Sequence, residues 1–208
     1  MLSRREREEN KFLEVALTGK EELEAMVSYA NNLDLSNASF LDMGCGVGNV
    51  VLRMALEGYK SYGIDYDKDA IAESERAREN LGISKELARF AVGNYYPNEL
   101  HQTEEGRRLL KKTTEQFRVK RDKEKEQKPE WNSPYDALGI RYRDIDLFYS
   151  YPYDNEEMIL HIFSEFAKPG AVLFLRPVFS EEYKLPSNVE RVDRNIDGSV
   201  LDVLVKKD

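Results

Sequence analysis

The sequence predicts a doubly wound α/β domain: a mostly parallel seven-stranded sheet with helices on both faces, closed by an antiparallel C-terminal hairpin. Three observations carry this expectation. Phe40 to Asp65 reads as strand, glycine turn, apolar helix and second strand. Short apolar runs at Leu87–Val92, Ile145–Tyr151 and Ala171–Leu175 repeat the strand signal, with helical patterns between them. Val189–Asn195 and Ser199–Lys206 flank an Asp197-Gly198 pair and read as a terminal hairpin.

The organising stretch comes first. Phe40 to Met43 is a short apolar strand, and Gly44, Gly46 and Gly48 follow as Gly-x-Gly-x-Gly. Glycine allows positive φ and close approach of a ligand to the backbone. Asn49 to Glu57 places Val50, Val51, Met54 and Ala55 on one helical face, and Gly58 is placed to end that helix. Ser61 to Ile64 is the second strand. Asp65 stands at its carboxyl end, the edge at which open α/β sheets bind ligands.

Upstream, Ser3–Leu17 has a helical apolar side in Phe12, Leu13, Ala16 and Leu17. Thr18 and Glu21 have capping-box spacing for a second helix bearing Leu23, Met26, Val27, Ala30 and Leu33. These N-terminal helices, within residues 1–38, either cover a ligand or only pack on the sheet. Downstream, Asp67–Leu81 reads as a helix capped by Asp67 or Asp69 and ended by Gly82. Asn155 begins a further helix after strand four, with Ile159, Leu160, Ile162, Phe163 and Phe166 facing inward.

Residues 97–143 form a charged, helix-prone insertion between strands three and four, far longer than such a connection requires. Acids alternate with Arg107, Arg108, Lys111, Lys112 and a basic run to Lys128, and Leu109, Leu110 and Phe117 give a thin apolar stripe. The readings are a solvated or mobile helix, then a substrate lid, then a basic surface for an anionic or nucleic-acid partner. Trp131 and Tyr135 are placed to anchor its end.

With 208 residues, 41% of them hydrophobic, the chain suits a single domain over 1–208 with a sizeable core. No apolar run reaches the roughly 18 residues of a membrane helix, and Met1–Lys11 lacks the apolar centre of a signal peptide. The single cysteine, Cys45, fits a reducing cytoplasm. As a nucleophile it would want a nearby histidine; a small residue tolerated between glycines is the preferred reading. A net charge of −8 argues against tight, sequence-independent nucleic-acid binding and favours a small-molecule or protein partner. No His, Cys and carboxylate set has metal-ligand spacing.

The dinucleotide fingerprint needs glycine at the sixth position, where Asn49 stands counting from Gly44 and Val51 counting from Gly46. Leu41-Asp42-Met43-Gly44-Cys45-Gly46-Val47-Gly48 instead resembles the first motif of the class I S-adenosylmethionine-dependent methyltransferases. The resemblance implies S-adenosylmethionine as cofactor, with Asp42, Gly44, Cys45, Gly46 and Gly48 around its methionine end. It implies Asp65 on the ribose hydroxyls, Tyr66 against adenine, and Asn94 where the family often places an acid or amide for the adenine amino group. An ordinary turn asparagine is the equal reading of Asn94. Tyr149, at the tip of strand four, borders the cofactor, and Tyr151, Tyr153 and Asp154 are placed to meet the methyl acceptor. Ser150-Tyr151-Pro152-Tyr153 only partly matches the motif of family members that methylate nucleobase amino groups. Lys168-Pro169-Gly170 and the final hairpin extend the similarity. The implied reaction is methyl transfer to an O, N or C nucleophile; a catalytically silent cofactor-binding scaffold is the alternative. His101, Asp154 and Tyr149 are candidates for a base, and His161 reads as structural.

Overall fold

The computed structural model describes residues 19–33, 35, 37–120, 133–151, 155–176 and 183–208, with the side chains of 114–120 left aside. The expected helix Ser3–Leu17, the basic run beyond Lys120, Trp131, Tyr153 and Asp154 lie outside these residues.

Seven strands form one sheet: β1 (Ser39–Met43), β2 (Lys60–Asp65), β3 (Ala88–Val92), β4 (Leu147–Ser150), β5 (Val172–Leu175), β6 (Val189–Arg194) and β7 (Asp202–Lys206). Their order is β3-β2-β1-β4-β5-β7-β6, with β7 antiparallel to both neighbours and the first five strands parallel. The order reverses between β1 and β4, so the carboxyl ends of these two strands flank the topological switch point.

Six described helices divide between the faces. Helix α1 (Lys20–Asn31), α2 (Asn49–Leu56) and α3 (Lys68–Asn80) cover one side. Met26, Ala30, Val50 and Met54 pack there with Phe40, Tyr149 and Phe174, while Val51, Ala55 and Ile71 close over Ala88. Helix α4 (Glu104–Lys120), α5 (Pro134–Leu138) and α6 (Glu156–Phe166) cover the other side, where Leu109, Leu138, Ile159 and Phe163 meet Leu41, Ile64 and Phe148. The expected α/β architecture is therefore observed: β1, β2, β4 and β5 are buried on both faces, as crossover helices require, and the edge strand β3 is only partly covered.

Differences from the expectation have local causes. Helix α1 starts one residue late: Gly19, not Thr18, is the N-cap, and Glu22, not Glu21, reaches back to the Gly19 N–H at 3.2 Å. Further along the helix, Met26 and Ala30 lie fully inside the core. Asp197-Gly198 does not make a two-residue hairpin turn. A longer connection runs through a short 3₁₀ turn, Ile196–Gly198, with Asn195 and Asp197 both at positive φ. That length tucks Ile196 and Leu201 into the core, where a tight turn would leave them in water. Strand β4 begins after Asp146, whose carboxylate braces the start of the sheet. That carboxylate accepts from Ser39 N–H at 2.8 Å and from Lys168 Nζ at 2.6 Å, tying the amino ends of β1, β4 and β5 together. The insertion contributes to the core. Leu100, Leu109, Leu138 and Tyr142 are buried, and the Tyr135 hydroxyl donates to the Tyr95 carbonyl.

Gly48 shows what the first turn demands. It caps α2 at φ +79°, and a Cβ there would sit 2.6 Å from Phe90 and 2.8 Å from the Ser74 hydroxyl. Gly48→Ala is therefore expected to destabilise the fold by about 2–4 kcal/mol, combining left-handed strain with overpacking. Urea denaturation checks this, and Phe90→Leu in the same chain should restore part of the loss.

Candidate active site

Asp65 ends β2 and is almost fully buried. One carboxylate oxygen accepts from Gly46 N–H at 2.8 Å and the other from Asp67 N–H at 2.9 Å. The acid thus joins the glycine turn after β1 to the start of α3. Each oxygen keeps a further lone pair, so a ligand with vicinal hydroxyls can still be accepted. Asp67 then caps α3, accepting from the Asp69 and Ala70 N–H groups.

The glycine turn is spent on the protein itself. Gly44 N–H and Cys45 N–H both donate to the Ile64 carbonyl, at 2.9 and 3.0 Å, and Gly48 N–H donates to the Cys45 carbonyl at 2.8 Å. With Gly46 committed to Asp65, these four donors do not form the N–H cradle that binds a pyrophosphate. The three glycines differ in what they leave open. A Cβ on Gly46 would meet nothing within 4 Å, and one on Gly44 only the edge of Tyr95 at 4.0 Å, so both border open space. Gly48 faces the packed side instead.

The Cys45 side chain turns into the core. Gly63 is needed opposite it, because a Cβ there would lie 2.7 Å from the sulfur. Burial, with the charges of Asp42 and Asp65, pushes the thiol well above its ordinary pKa, so it is not a poised thiolate.

Asp42 lies in the penultimate position of β1, in register with Gly63 on one side and Tyr149 on the other. Registered neighbours point to the same face of a parallel sheet, which places the carboxyl beside Tyr149. Burial, and secondarily Asp65, holds Asp42 well above the usual carboxylate range. A buried acid at a strand tip with a raised pKa is a candidate functional position.

Among the other expected residues, Tyr66 follows Asp65 at the strand tip and is 75% exposed. The Asn94 side-chain oxygen accepts from Tyr96 N–H at 3.2 Å, so the turn role is present. Tyr149 is buried among Met26, Phe40 and Phe174, and Tyr151 sits one residue beyond β4. His101 is exposed in a 3₁₀ turn, and His161 lies on α6 with its ring edge-on to Phe166.

Four residues the sequence reading did not single out for the site gather beside it. Asn155, the N-cap of α6, donates to the Tyr96 hydroxyl at 3.1 Å, and its carbonyl oxygen accepts from Thr113 of α4 at 3.3 Å. Tyr95 stacks edge-on against Tyr96 and borders Gly44. Burial raises both phenols above their ordinary pKa, so they act as neutral hydrogen-bonding groups. The network links the insertion to the tips of β3 and β4, through contacts 42 and 59 residues apart in the chain. A solvent-open hollow lined by Pro169, Gly170 and Lys206 lies at the opposite edge of the sheet and gathers none of these groups.

Residues 34–104 match a family described as a methyltransferase domain. The fold matches a methyltransferase from Geobacter sulfurreducens with a TM-score of 0.60, at 12% identity, covering 97% of this chain and 86% of that one. The chain therefore shares the fold of these methyltransferases, with the family match confined to residues 34–104. A second structure of similar fold is an RNA methyltransferase from Salinibacter ruber in complex with S-adenosylhomocysteine. It has a TM-score of 0.52 at 15% identity and covers 92% of each chain. No curated protein matches the sequence significantly. Among the described residues, the domain has no cluster of His, Cys, Asp and Glu fit to hold a metal, and no helix long and apolar enough to cross a membrane.

The raised pKa of Asp42 has a direct consequence for stability. Below the ordinary value of 3.8 the side chain is neutral in both folded and unfolded chains and costs nothing. As pH rises towards its folded pKa, the unfolded chain ionises more readily and the fold loses stability. Asp42→Asn is therefore expected to stabilise the ligand-free domain at neutral pH, with the advantage shrinking to nothing in acid. Denaturation of both proteins across this range measures the difference.

Proposed function

We propose that the domain binds S-adenosylmethionine across the tips of β1, β2 and β4 and transfers its methyl group to an O, N or C nucleophile of an acceptor. The observation that carries this is the pairing of Asp65 with a glycine turn whose N–H groups are already used. Such a turn suits a ligand approaching with hydroxyls and a cation, and not one approaching with phosphates. Asp42 adds to the fit: a cation brought to its strand tip relieves the cost of ionising a buried acid beside Asp65. The methionine end carries an ammonium, and the sulfonium supplies the electrophilic methyl group when the cofactor is bound.

On this reading each residue has a limited task. Asp65 accepts from the ribose hydroxyls while its other lone pairs hold the turn. The exposed ring of Tyr66 covers one adenine face, and the Asn94 amide lies at the adenine edge. Gly44 and Gly46 give the backbone room to approach, and Cys45 contributes through its backbone because its sulfur is buried. Asp42 orients the charged end, and Tyr149 backs it from β4. Gly48 acts by letting α2 start close to β3. Alignment of donor and acceptor in near-attack geometry can lower the barrier by about 7–11 kcal/mol. The buried phenols of Tyr95 and Tyr96 are poor bases, so a base enters only for an acceptor that must lose a proton during attack.

A small-molecule or protein acceptor is favoured over nucleic acid. The net charge is −8, and the exposed basic residues Arg108 and Lys112 are paired with Glu105 and Glu157. A cytoplasmic setting accords with the single, unpaired cysteine. We place residues 1–208 in one domain, with 97–143 an insertion beside the acceptor edge.

Calorimetric titration tests the cofactor assignment. S-adenosylhomocysteine should bind and NAD should not. Tyr66→Ala should weaken S-adenosylhomocysteine by about 3–10-fold, the worth of one aromatic stack, with little change in stability at so exposed a position. Binding of NAD instead would overturn the reading. Binding without turnover on any acceptor class would favour a silent scaffold.

A further inference from the structure

Arg176 follows the last residue of β5, and its backbone N–H donates to the Ser150 carbonyl at 3.0 Å. Strand alternation sends its side chain to the face that bears Asp42 and Tyr149. Its guanidinium carbon lies 4.7 Å from the centroid of the Tyr151 ring, and its Nε is 3.3 Å from Glu22 Oε1. Glu22 belongs to the first turn of α1, and its other oxygen accepts from Gly19 N–H. The tips of β4 and β5 and the start of α1 therefore meet around one cation, two strands from the glycine turn. Neither Arg176 nor Glu22 has a task in cofactor binding.

The ion pair is long for an arginine–carboxylate contact. A guanidinium offers parallel N–H groups that a carboxylate takes two at a time, at about 2.7–2.9 Å. The approach here is Nε to one Glu22 oxygen at 3.3 Å, longer than that range, and Glu22 divides its carboxylate between Arg176 and the helix cap. The Tyr151 ring braces the guanidinium over the strand tips, so its plane is held ready at little further entropic cost. An incoming carboxylate can form the two-pronged contact, while Glu22 retains the Gly19 N–H.

We propose that Arg176, braced by Tyr151, is the recognition group for a carboxylate on the methyl acceptor, and that Glu22 occupies it in the acceptor-free protein. This rests on the methyltransferase reading and narrows its substrate class. The arginine positions the acceptor and takes no part in the transfer itself. In a chain of net charge −8, such a local cation selects for an anionic group at this edge.

The test titrates benzoate, benzamide and phenyl phosphate into the protein saturated with S-adenosylhomocysteine, followed by ligand-observed NMR. Benzoate should saturate in the millimolar range and benzamide should not. Arg176→Gln should weaken benzoate about tenfold or more, Arg176→Lys should give an intermediate loss, and Glu22→Gln should tighten it. Three results overturn the inference: no saturation by benzoate, benzoate affinity indifferent to residue 176, or affinity lost in Glu22→Gln, as a purely structural pair would give. Saturation by phenyl phosphate in place of benzoate overturns the carboxylate assignment. Calorimetry of S-adenosylhomocysteine on the same variants separates the levels: failure to bind the wild type removes the methyltransferase reading, whereas unchanged binding with indifferent benzoate removes only the acceptor assignment.

Discussion

The site depends on one carboxylate. Asp65 sits where β2 ends, and its two oxygens hold the backbone of Gly46 and of Asp67. Through the first it fixes the turn that follows β1; through the second it fixes the entry to α3. A buried carboxylate accepting two N–H groups is satisfied in the ligand-free fold, which makes the turn rigid before any ligand arrives. The same bonds explain the type of ligand. With the N–H groups at 44, 45, 46 and 48 directed inward, the turn does not compete for phosphate, although its sequence superficially suggests a nucleotide-binding loop.

Packing around this turn is correspondingly tight on one side and open on the other. Gly48 and Gly63 are small because Phe90, Ser74 and Cys45 already fill the space between α2, α3 and the sheet. Gly44 and Gly46 are small on the side where little or nothing fills the space. Three glycines with the same spacing thus serve two purposes: close helix packing and access. Asp42 carries the cost of this arrangement, since its carboxyl is buried beside a second acid and resists ionisation until a cation is near.

The five parallel strands and the helices after β1, β2 and β4 were legible in the sequence to within one or two residues, because apolar runs bounded by glycine and capping residues are local signals; β7 starts three residues later than expected. The glycine turn and Asp65 were legible for the same reason: strand, turn and acid lie within one contiguous unit. What local patterns could not carry is the partnership between distant residues. Asn155 meets Thr113 and Tyr96, and Arg176 meets Glu22 and Tyr151, only once the sheet brings the strand tips together. The capping box slipped by one residue because Glu22, not Glu21, reaches back to the Gly19 N–H. The terminal connection lengthened because Ile196 and Leu201 gain more from burial than a short Asp-Gly turn offers. The charged insertion reads as solvated by composition, yet its few apolar residues suffice to seat Leu100, Leu109 and Tyr135 in the core.

The most direct measurement is a crystal structure of the protein with S-adenosylhomocysteine. The account predicts the ribose hydroxyls on Asp65, the adenine beside Tyr66, the amino-acid end at Asp42 and Gly44, and a glycine turn that keeps its bonds to Ile64 and Asp65. A ligand bound away from Asp65, or a turn that abandons those bonds to bind it, would contradict the claim that this carboxylate prepares the site.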